Sequence, residues 1–210
     1  VRHIARQHKP VIMSTGMATL AEIEEAVSAL RSEGNDQIVV LHCVSAYPAQ
    51  PEDMNLRTIP HMSQAFDVPT GLSDHTLGIS MALGAVALGA CLIEKHFTLD
   101  RAAGGPDAAF SLEPHEFTQM VDNVRELERA LGAVHYGPTE GEKTMLPLRR
   151  SLFVVEDIEQ GEALTERNVR SIRPGSGLHP RHLPEVLGRR AGRRIARGTP
   201  LAWGMIASDG

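Results

Sequence analysis

Gly71-Leu-Ser-Asp-His-Thr76 and Ile93-Glu-Lys-His-Phe-Thr-Leu-Asp100 are the most informative segments of this chain. Each carries a histidine at the end of an apolar run that has the length of a β-strand. Around the second stretch, the strand period of two places Leu92, Glu94 and His96 on one face. A face that becomes polar toward the end of an apolar strand is typical of a parallel barrel, whose catalytic groups lie at the C-terminal strand ends.

The two histidines, His75 and His96, predict a metal site at the mouth of such a barrel. A neutral imidazole binds Zn, Mn or Fe well. Taken separately, each histidine is also explained as a hydrogen-bonded structural residue, and that alternative stays open. Taken together, at the ends of two strands and beside the hydroxyl groups described below, they favour metal ligation.

Residues 1–145 repeat one theme, in which a short apolar strand and a polar loop precede an amphipathic helix. A capping box at Thr19-Leu-Ala-Glu22 opens the first clear helix. Four successive βα units predict an α/β fold with a parallel sheet and right-handed crossovers. Strands are predicted at Pro10–Ser14, Ile38–His42, Thr70–Ser73 and in the run that ends at His96.

The predicted barrel is only half of an eight-stranded one, which takes roughly 250 residues. The chain also begins without methionine, inside a plausible helix. We therefore expect it to be the C-terminal part of a longer protein that includes about four further βα units. The fold class that follows is α/β, the C-terminal half of a TIM (β/α)8 barrel and then a small, mostly β domain.

The pattern changes beyond Pro147, where a β-like segment at Ser151–Val155 is followed by Gly/Pro-rich turns. The predicted organisation is a half-barrel at 1–138, a linker at 139–147 and a small β domain at 148–210. The net charge of −5 divides in the same way, since residues 1–145 carry 10 basic and 19 acidic residues, and residues 146–210 carry 11 and 7.

Composition excludes several classes of protein. With 42% hydrophobic and 22% charged residues the chain is globular, and aromatic residues, at 4%, are too few for an aromatic-interleaved nucleic-acid surface. The longest apolar runs are too short to span a membrane, so we expect a cytoplasmic protein with no membrane partner. Cys43 and Cys91 lie in apolar runs and are predicted to be two reduced core thiols.

Hydroxyl groups follow three of the predicted strands. Ser14 precedes a capped helix, Ser73 lies two residues before His75, and Leu41-His-Cys-Val-Ser-Ala-Tyr-Pro48 adds Ser45 and Tyr47. Hydroxyls and free backbone N–H groups that converge at one end of a sheet favour an oxyanion such as phosphate. A plain strand-to-helix turn remains the alternative for the segment at Ser14.

Two carboxylates are candidates for the same site. Glu94 shares the strand face of His96 and is a candidate catalytic group. Asp107, in Gly104-Gly-Pro-Asp107, follows the fourth strand and would lie beside His96. A metal ligand, a hydroxyl-binding group and a turn-stabilising aspartate stay open for Asp107.

These segments, in this order, resemble the sialic acid synthase family over nearly the whole chain. The resemblance is carried by Ser14-Thr-Gly-Met, Leu41-His-Cys-Val-Ser-Ala-Tyr-Pro, Gly71-Leu-Ser-Asp-His-Thr, Glu94-Lys-His-Phe-Thr-Leu-Asp, Gly105-Pro-Asp and Ser111-Leu-Glu-Pro. The tail, including Ile172-Arg-Pro-Gly-Ser-Gly177, is similar to the antifreeze-like (SAF) domain of that family.

The resemblance implies a transferase that condenses phosphoenolpyruvate with an N-acylated hexosamine, giving a nonulosonic acid and phosphate. The sugar would be N-acetylmannosamine or a diacetamido-trideoxyhexose. In the family, the matching histidines hold Mn²⁺ or Mg²⁺, which implies His75 and His96 as ligands. Serines that match Ser14 and Ser73 bind the phosphate of phosphoenolpyruvate.

Further roles are implied at the sugar. Tyr47 and Asp107 match groups near it, with Tyr47 also a candidate catalytic residue, and Ser45 holds a position that is Asn in some members.

The segment Ile195-Ala-Arg-Gly198 departs from the Ile-Arg-Lys-Gly of sialic-acid-forming members, with Ala196 in place of the arginine. This departure puts N-acetylmannosamine in question and leaves the diacetamido sugars of legionaminic or pseudaminic acid open.

The resemblance also implies a domain-swapped homodimer, in which the tail of one subunit caps the barrel of the other. The phosphate-binding lysines of the family come from the first half of the barrel, so we expect the present residues alone to be inactive. The alternative hypothesis is a non-catalytic half-barrel with a SAF module that binds a glycan or a partner.

Overall fold

The structure is a computed structural model and describes residues 1–208. The last two residues of the predicted domain 148–210 therefore lie outside the described residues. The chain divides after Ala133 into two compact units, unit 1 at 1–133 and unit 2 from Val134 onward.

Unit 1 is built on a four-stranded parallel sheet in which neighbours in sequence are neighbours in space, in the order β1-β2-β3-β4. The strands are β1 Val11–Ser14, β2 Ile38–Cys43, β3 Thr70–Asp74 and β4 Ile93–Lys95. The helices are α1 Arg2–Ala5, α2 Leu20–Ser32, α3 Thr58–Phe66, α4 Ser80–Ala87 and α5 Pro114–Leu131. This succession of βα units confirms the predicted half-barrel.

Local sequence explains where the helices begin and which faces they bury. The carboxylate of Glu22 accepts a hydrogen bond of 2.7 Å from the Thr19 N–H, which completes the predicted capping box of α2. Ile23, Val27 and Leu30 of α2 are buried with the helix-facing residues of β1 and β2. The alternate residues of the strands are thereby left for the opposite face of the sheet, where the candidate site lies.

Strand β4 ends one residue earlier than predicted, at Lys95. Beyond the strand the main chain pairs with another segment, since the Leu112 N–H donates to the His96 carbonyl at 2.9 Å and Phe97 forms a bridge with Leu112. His96 therefore follows the strand directly and is held by the segment that precedes α5.

The prediction of two core thiols is correct for Cys43 and wrong for Cys91. Both cysteines are free, but Cys91 is exposed. Its backbone N–H donates to the Thr70 carbonyl at 2.8 Å, which fixes the main chain at the start of the edge strand. An apolar run beside an edge strand need not be enclosed, and composition alone does not reveal this.

Unit 2 is a small, mostly β structure. Strands β5 Ser151–Val154 and β6 Val169–Ile172 pair antiparallel, isolated bridges add further β contacts, and a short helix, α6, spans Leu183–Val186. The predicted linker is structured, since a 3-10 helix runs over Glu140–Leu148. In the described chain, none of the helices combines the length and the apolar character needed to cross a membrane.

Candidate active site

Side chains from three strands meet on the inner face of the unit 1 sheet. Ser73 and Glu94 are register partners across β3 and β4, and Ser73 Oγ donates to Glu94 Oε1 at 2.7 Å. Ser14 Oγ, from β1, donates to the same carboxylate oxygen at 3.5 Å. The two serines predicted to bind phosphate are therefore joined by Glu94, the carboxylate that strand alternation placed on this face.

The two predicted metal ligands, His75 and His96, lie side by side with ring centroids 5.1 Å apart. His75 is buried, and its Nδ1 lies 2.8 Å from the Val44 carbonyl oxygen. An N–H at Nδ1 that donates to this carbonyl leaves the lone pair on Nε2, which is the arrangement that metal-binding histidines use. This arrangement leaves Nε2 of His75 available to a divalent ion, and imidazole nitrogen is a ligand type that such ions accept.

Asp107 lies beside His96, with 3.6 Å between its Oδ2 and His96 Nδ1. This separation is longer than a hydrogen bond, and the Asp107 side chain is 55% exposed. The Asp107 carbonyl accepts a hydrogen bond from Ser111 Oγ at 2.8 Å, which holds the loop in place. The carboxylate is therefore free to meet a ligand next to the histidine pair.

Two aromatic rings complete this cluster. Tyr47 lies over His75, with centroids 4.3 Å apart, and its ring is 6.0 Å from that of His96. Phe110 is buried 5.0 Å from the His96 ring and 5.7 Å from that of Tyr47. Sequence reasoning missed Phe110, because a single apolar residue after the Gly105-Pro-Asp segment has no signal that separates it from an ordinary core residue.

Ser45 lies beside the turn that follows β1. Its Oγ is 3.2 Å from the position that a Cβ on Gly16 would occupy, and Gly16 has φ of +50°. Ser45 is exposed and keeps its hydroxyl next to the Ser14-Thr-Gly-Met segment. The structure thus brings Ser45 to the β1 side of the site and Tyr47 to the histidine side.

Sequence reasoning also missed a buried ion pair behind the histidines. Lys95 Nζ lies 2.8 Å from Asp74 Oδ2, and the two side chains are 1% and 0% exposed. Strand alternation turns both residues away from the inner face, toward the helices, where apolar residues are expected. The sequence signal was the charge itself, at positions directly beside the two histidines.

A second group of potential metal ligands lies at the start of α5, where Glu113, His115 and Glu116 offer atoms within 4.8 Å of one another. Arg101 already pairs with this group, because its guanidinium donates to both carboxylate oxygens of Glu116 and lies 3.7 Å from Glu113. The Arg101 hydrogen bonds, followed by that from the Glu113 N–H, lower the pKa of Glu116 to about 2. We assign this group to capping and anchoring of α5.

Comparison with known proteins gives two domain matches. Residues 1–136 match the model of the NeuB family, and residues 149–207 match the SAF domain. These matches confirm the resemblance to the sialic acid synthases and, with the curled parallel sheet, the predicted fold class.

Similar curated proteins are named as synthases of nonulosonic acids. The pseudaminic acid synthase of Helicobacter pylori is 42% identical over 205 residues, which are 96% of this chain and 60% of that protein. The N,N'-diacetyllegionaminic acid synthase of Campylobacter jejuni is 41% identical over 192 residues, 90% of this chain and 58% of that protein. Human N-acetylneuraminate-9-phosphate synthase is 38% identical over 170 residues, 77% of this chain and 45% of that protein.

Among solved structures, the spore coat polysaccharide biosynthesis protein SpsE of Bacillus subtilis is 38% identical with a TM-score of 0.60, over 100% of this chain and 64% of that one. The DAHP synthase of Thermotoga maritima is 20% identical with a TM-score of 0.55, and the match covers 61% of this chain and 41% of that one. At this identity the likeness shows the fold alone. The chain spans about three fifths of the length of the first curated relatives.

Proposed function

This chain belongs to the NeuB family, and on that premise we propose that its protein condenses phosphoenolpyruvate with an N-acylated hexosamine to give a nonulosonic acid and phosphate. The observation that carries the proposal is the pairing of Ser73 with Glu94 two residues before His75 and His96, whose ring centroids are 5.1 Å apart. The histidine end of this site would thus hold a cation, and the serine end an oxyanion.

We propose a diacetamido-trideoxyhexose as the sugar. Identity is 42–44% with the pseudaminic acid synthases and 38%, over a shorter range, with the human N-acetylneuraminate-9-phosphate synthase. Ala196, at the position that matches the arginine of sialic-acid-forming members, supports the same choice.

His75 and His96 would hold Mn²⁺ or Mg²⁺, with His75 presenting Nε2 because its Nδ1 faces the Val44 carbonyl. When bound, a divalent ion with few protein ligands supplies Lewis-acid polarisation of the sugar aldehyde oxygen. Tyr47 and Asp107, which both lie near His96, would contact the hydroxyls and acylamino groups of the sugar. Phe110 would support these rings from below, since it is buried with its ring 5.0 Å from that of His96 and 5.7 Å from that of Tyr47.

The serine side of the pocket would bind phosphoenolpyruvate. Ser14 and Ser73 donate to Glu94 in this structure, and on binding they would donate to phosphate oxygens, with Ser45 adding a third hydroxyl. C3 of phosphoenolpyruvate would form the new bond to the aldehyde carbon as the C2–C3 double bond opens, and the aldehyde oxygen would take up a proton to become a hydroxyl. Water would add to the electron-poor C2, and Glu94, released from the serines, would accept a proton from that water. Phosphate would then leave with the electron pair of the C2–O bond, while the new C2 hydroxyl loses its proton and becomes the ketone.

The proposed organisation keeps the predicted boundaries, a catalytic half-barrel at 1–138, a linker at 139–147 and a SAF domain at 148–210. We propose a homodimer in which the SAF domain of one subunit caps the barrel of the other. A cytoplasmic location is proposed with it, because phosphoenolpyruvate is made and used there. Light scattering coupled to size exclusion tests the dimer, and a purely monomeric protein would reject it.

The test uses the protein expressed from its complete gene. Phosphate release and product mass are followed with phosphoenolpyruvate and a panel of N-acylated hexosamines, with and without a chelator. We expect turnover to need a divalent ion and to fall at least 100-fold in His75→Ala and in His96→Ala. His115→Ala, which alters the exposed histidine at the start of α5, is the matched control and should keep full activity. Turnover that survives chelation would reject the mechanism, and no turnover with any sugar would favour the non-catalytic binding module.

A further inference from the structure

The buried pair formed by Asp74 and Lys95 joins the last residues of the two strands that the histidines directly follow. The two residues are register partners across β3 and β4, and each immediately precedes a histidine in the sequence. Because successive side chains of a strand point to opposite faces, the pair lies behind the sheet and the histidines in front of it. The pair would therefore contact neither substrate nor metal, and the proposed reaction does not use it.

The pair also fixes the backbone on both sides of His75. Asp74 Oδ1 accepts hydrogen bonds from the Thr76 N–H at 2.9 Å and from Thr76 Oγ1 at 2.7 Å. Lys95 Nζ donates to the Thr76 carbonyl as well as to Asp74 Oδ2. His75 therefore lies between Asp74 and Thr76, and both of these residues are held by the Lys95 side chain, which directly precedes His96.

We propose that Asp74, Lys95 and Thr76 form a positioning brace that sets the separation of His75 and His96 for one divalent ion. This inference rests on the proposed function, since it requires that the two histidines ligate a metal. Two imidazoles share a cation only when one nitrogen of each ring comes within about 2.1 Å of it, so a small shift of β4 along β3 would separate the ligands.

The chemistry of the brace supports a positioning role over a purely stabilising one. Removing two charges from water is costly, and a well-packed apolar pair at such a place often gives equal or greater stability. An ion pair with directional hydrogen bonds instead specifies one register and one turn geometry. The helix-facing side of a parallel strand is otherwise apolar, as Leu72 and Ile93 are on these same strands.

The test is a double variant, Asp74→Asn with Lys95→Met, in the protein expressed from its complete gene. It removes both buried charges together, so neither is left unpaired, and the asparagine amide would keep an acceptor oxygen for Thr76. Mn²⁺ affinity is measured by titration calorimetry and by the electron paramagnetic resonance signal of free Mn²⁺, with thermal unfolding recorded alongside. We expect at least a tenfold rise in the Mn²⁺ Kd, within the range seen when partners behind metal ligands are removed.

The matched control is Arg125→Met with Glu128→Gln, which removes an exposed ion pair on α5. Its Mn²⁺ Kd should equal that of the unaltered protein. A lowered unfolding temperature with an unchanged Mn²⁺ Kd in the brace variant would show a merely structural pair and overturn the proposal.

Two further variants keep the test decisive. If the double variant does not fold, Thr76→Val retains both charges and removes one hydrogen bond of the brace, and an increase of about threefold in Kd is expected. An unchanged Kd in Thr76→Val would then overturn the proposal. If His75→Ala binds Mn²⁺ as tightly as the unaltered protein, the proposed metal site itself is wrong, and the proposal of a positioning brace is then wrong as well.

Discussion

Substitution of Gly71 by alanine tests the contact between the two histidine-bearing strands most directly. A Cβ at this position would overlap the Leu92 carbonyl oxygen and would lie 2.7 Å from Leu41 Cδ2. The Leu92 carbonyl also accepts the Leu72 N–H at 2.9 Å, so it cannot withdraw without breaking a bond of the β3–β4 ladder. Ordinary contact distance requires a movement of roughly 1 Å by main chain.

The expected cost follows from these contacts. Overpacking of a rigid site costs about 1–3 kcal/mol, and loss of one ladder hydrogen bond adds about 1 kcal/mol. We therefore expect Gly71→Ala to lower the free energy of unfolding by about 2–4 kcal/mol. The same movement would separate His75 from His96, so the Mn²⁺ Kd of the folded protein should also rise.

Urea unfolding followed by far-ultraviolet circular dichroism measures the free energy, with Gly84→Ala as the matched control. The added Cβ of that control meets only the tip of the Leu56 side chain, at 3.0 Å, in the interior of α4. Its stability should stay within about 1 kcal/mol of the unaltered protein, since the helix gains from alanine what the contact loses. If Gly71→Ala lowers the free energy of unfolding by less than about 1 kcal/mol, the reasoning is refuted, because β4 would then be able to move away from β3 at little cost.

Three other perturbations have defined outcomes. Glu116 has its pKa lowered to about 2 in the folded state, so its bonds to Arg101 stabilise the protein above about pH 5 and are lost as the pH falls toward 2. Glu116→Gln should lower the free energy of unfolding at pH 7 by about 1 kcal/mol, a modest figure because the ion pair is partly exposed. It should also reduce the loss of stability between about pH 5 and pH 2. An unchanged loss of stability over this pH range would contradict the prediction. Ser73→Ala should raise the KM for phosphoenolpyruvate about tenfold and leave Mn²⁺ affinity unaltered, because a hydrogen bond to a charged oxygen is worth about 1.5–3 kcal/mol; equal loss of both would place Ser73 with the metal. Phe110→Ala should lower the free energy of unfolding by about 3 kcal/mol through the cavity left beside Tyr47 and His96, and an effect under about 1 kcal/mol would show that the cluster collapses around it.

Much of unit 1 followed from sequence because its signals are local. The capping box at Thr19 and Glu22, the apolar stripe of α2 and the proline that opens α5 each act within one or two turns of helix. Strand alternation likewise assigned Glu94 and His96 to one face without any knowledge of the neighbouring strand.

The features that could not be predicted depend on contacts between distant segments. The shared hydrogen bonds of Ser14 and Ser73 to Glu94, the Asp74 and Lys95 pair, and the exposure of Cys91 all depend on which residues face one another across strands. Period and propensity set the direction of a side chain, whereas register and the path of the covering loops set its neighbours. Local patterns thus set the elements and the strand face of the candidate site, and packing between strands set which charges and hydroxyls meet on that face.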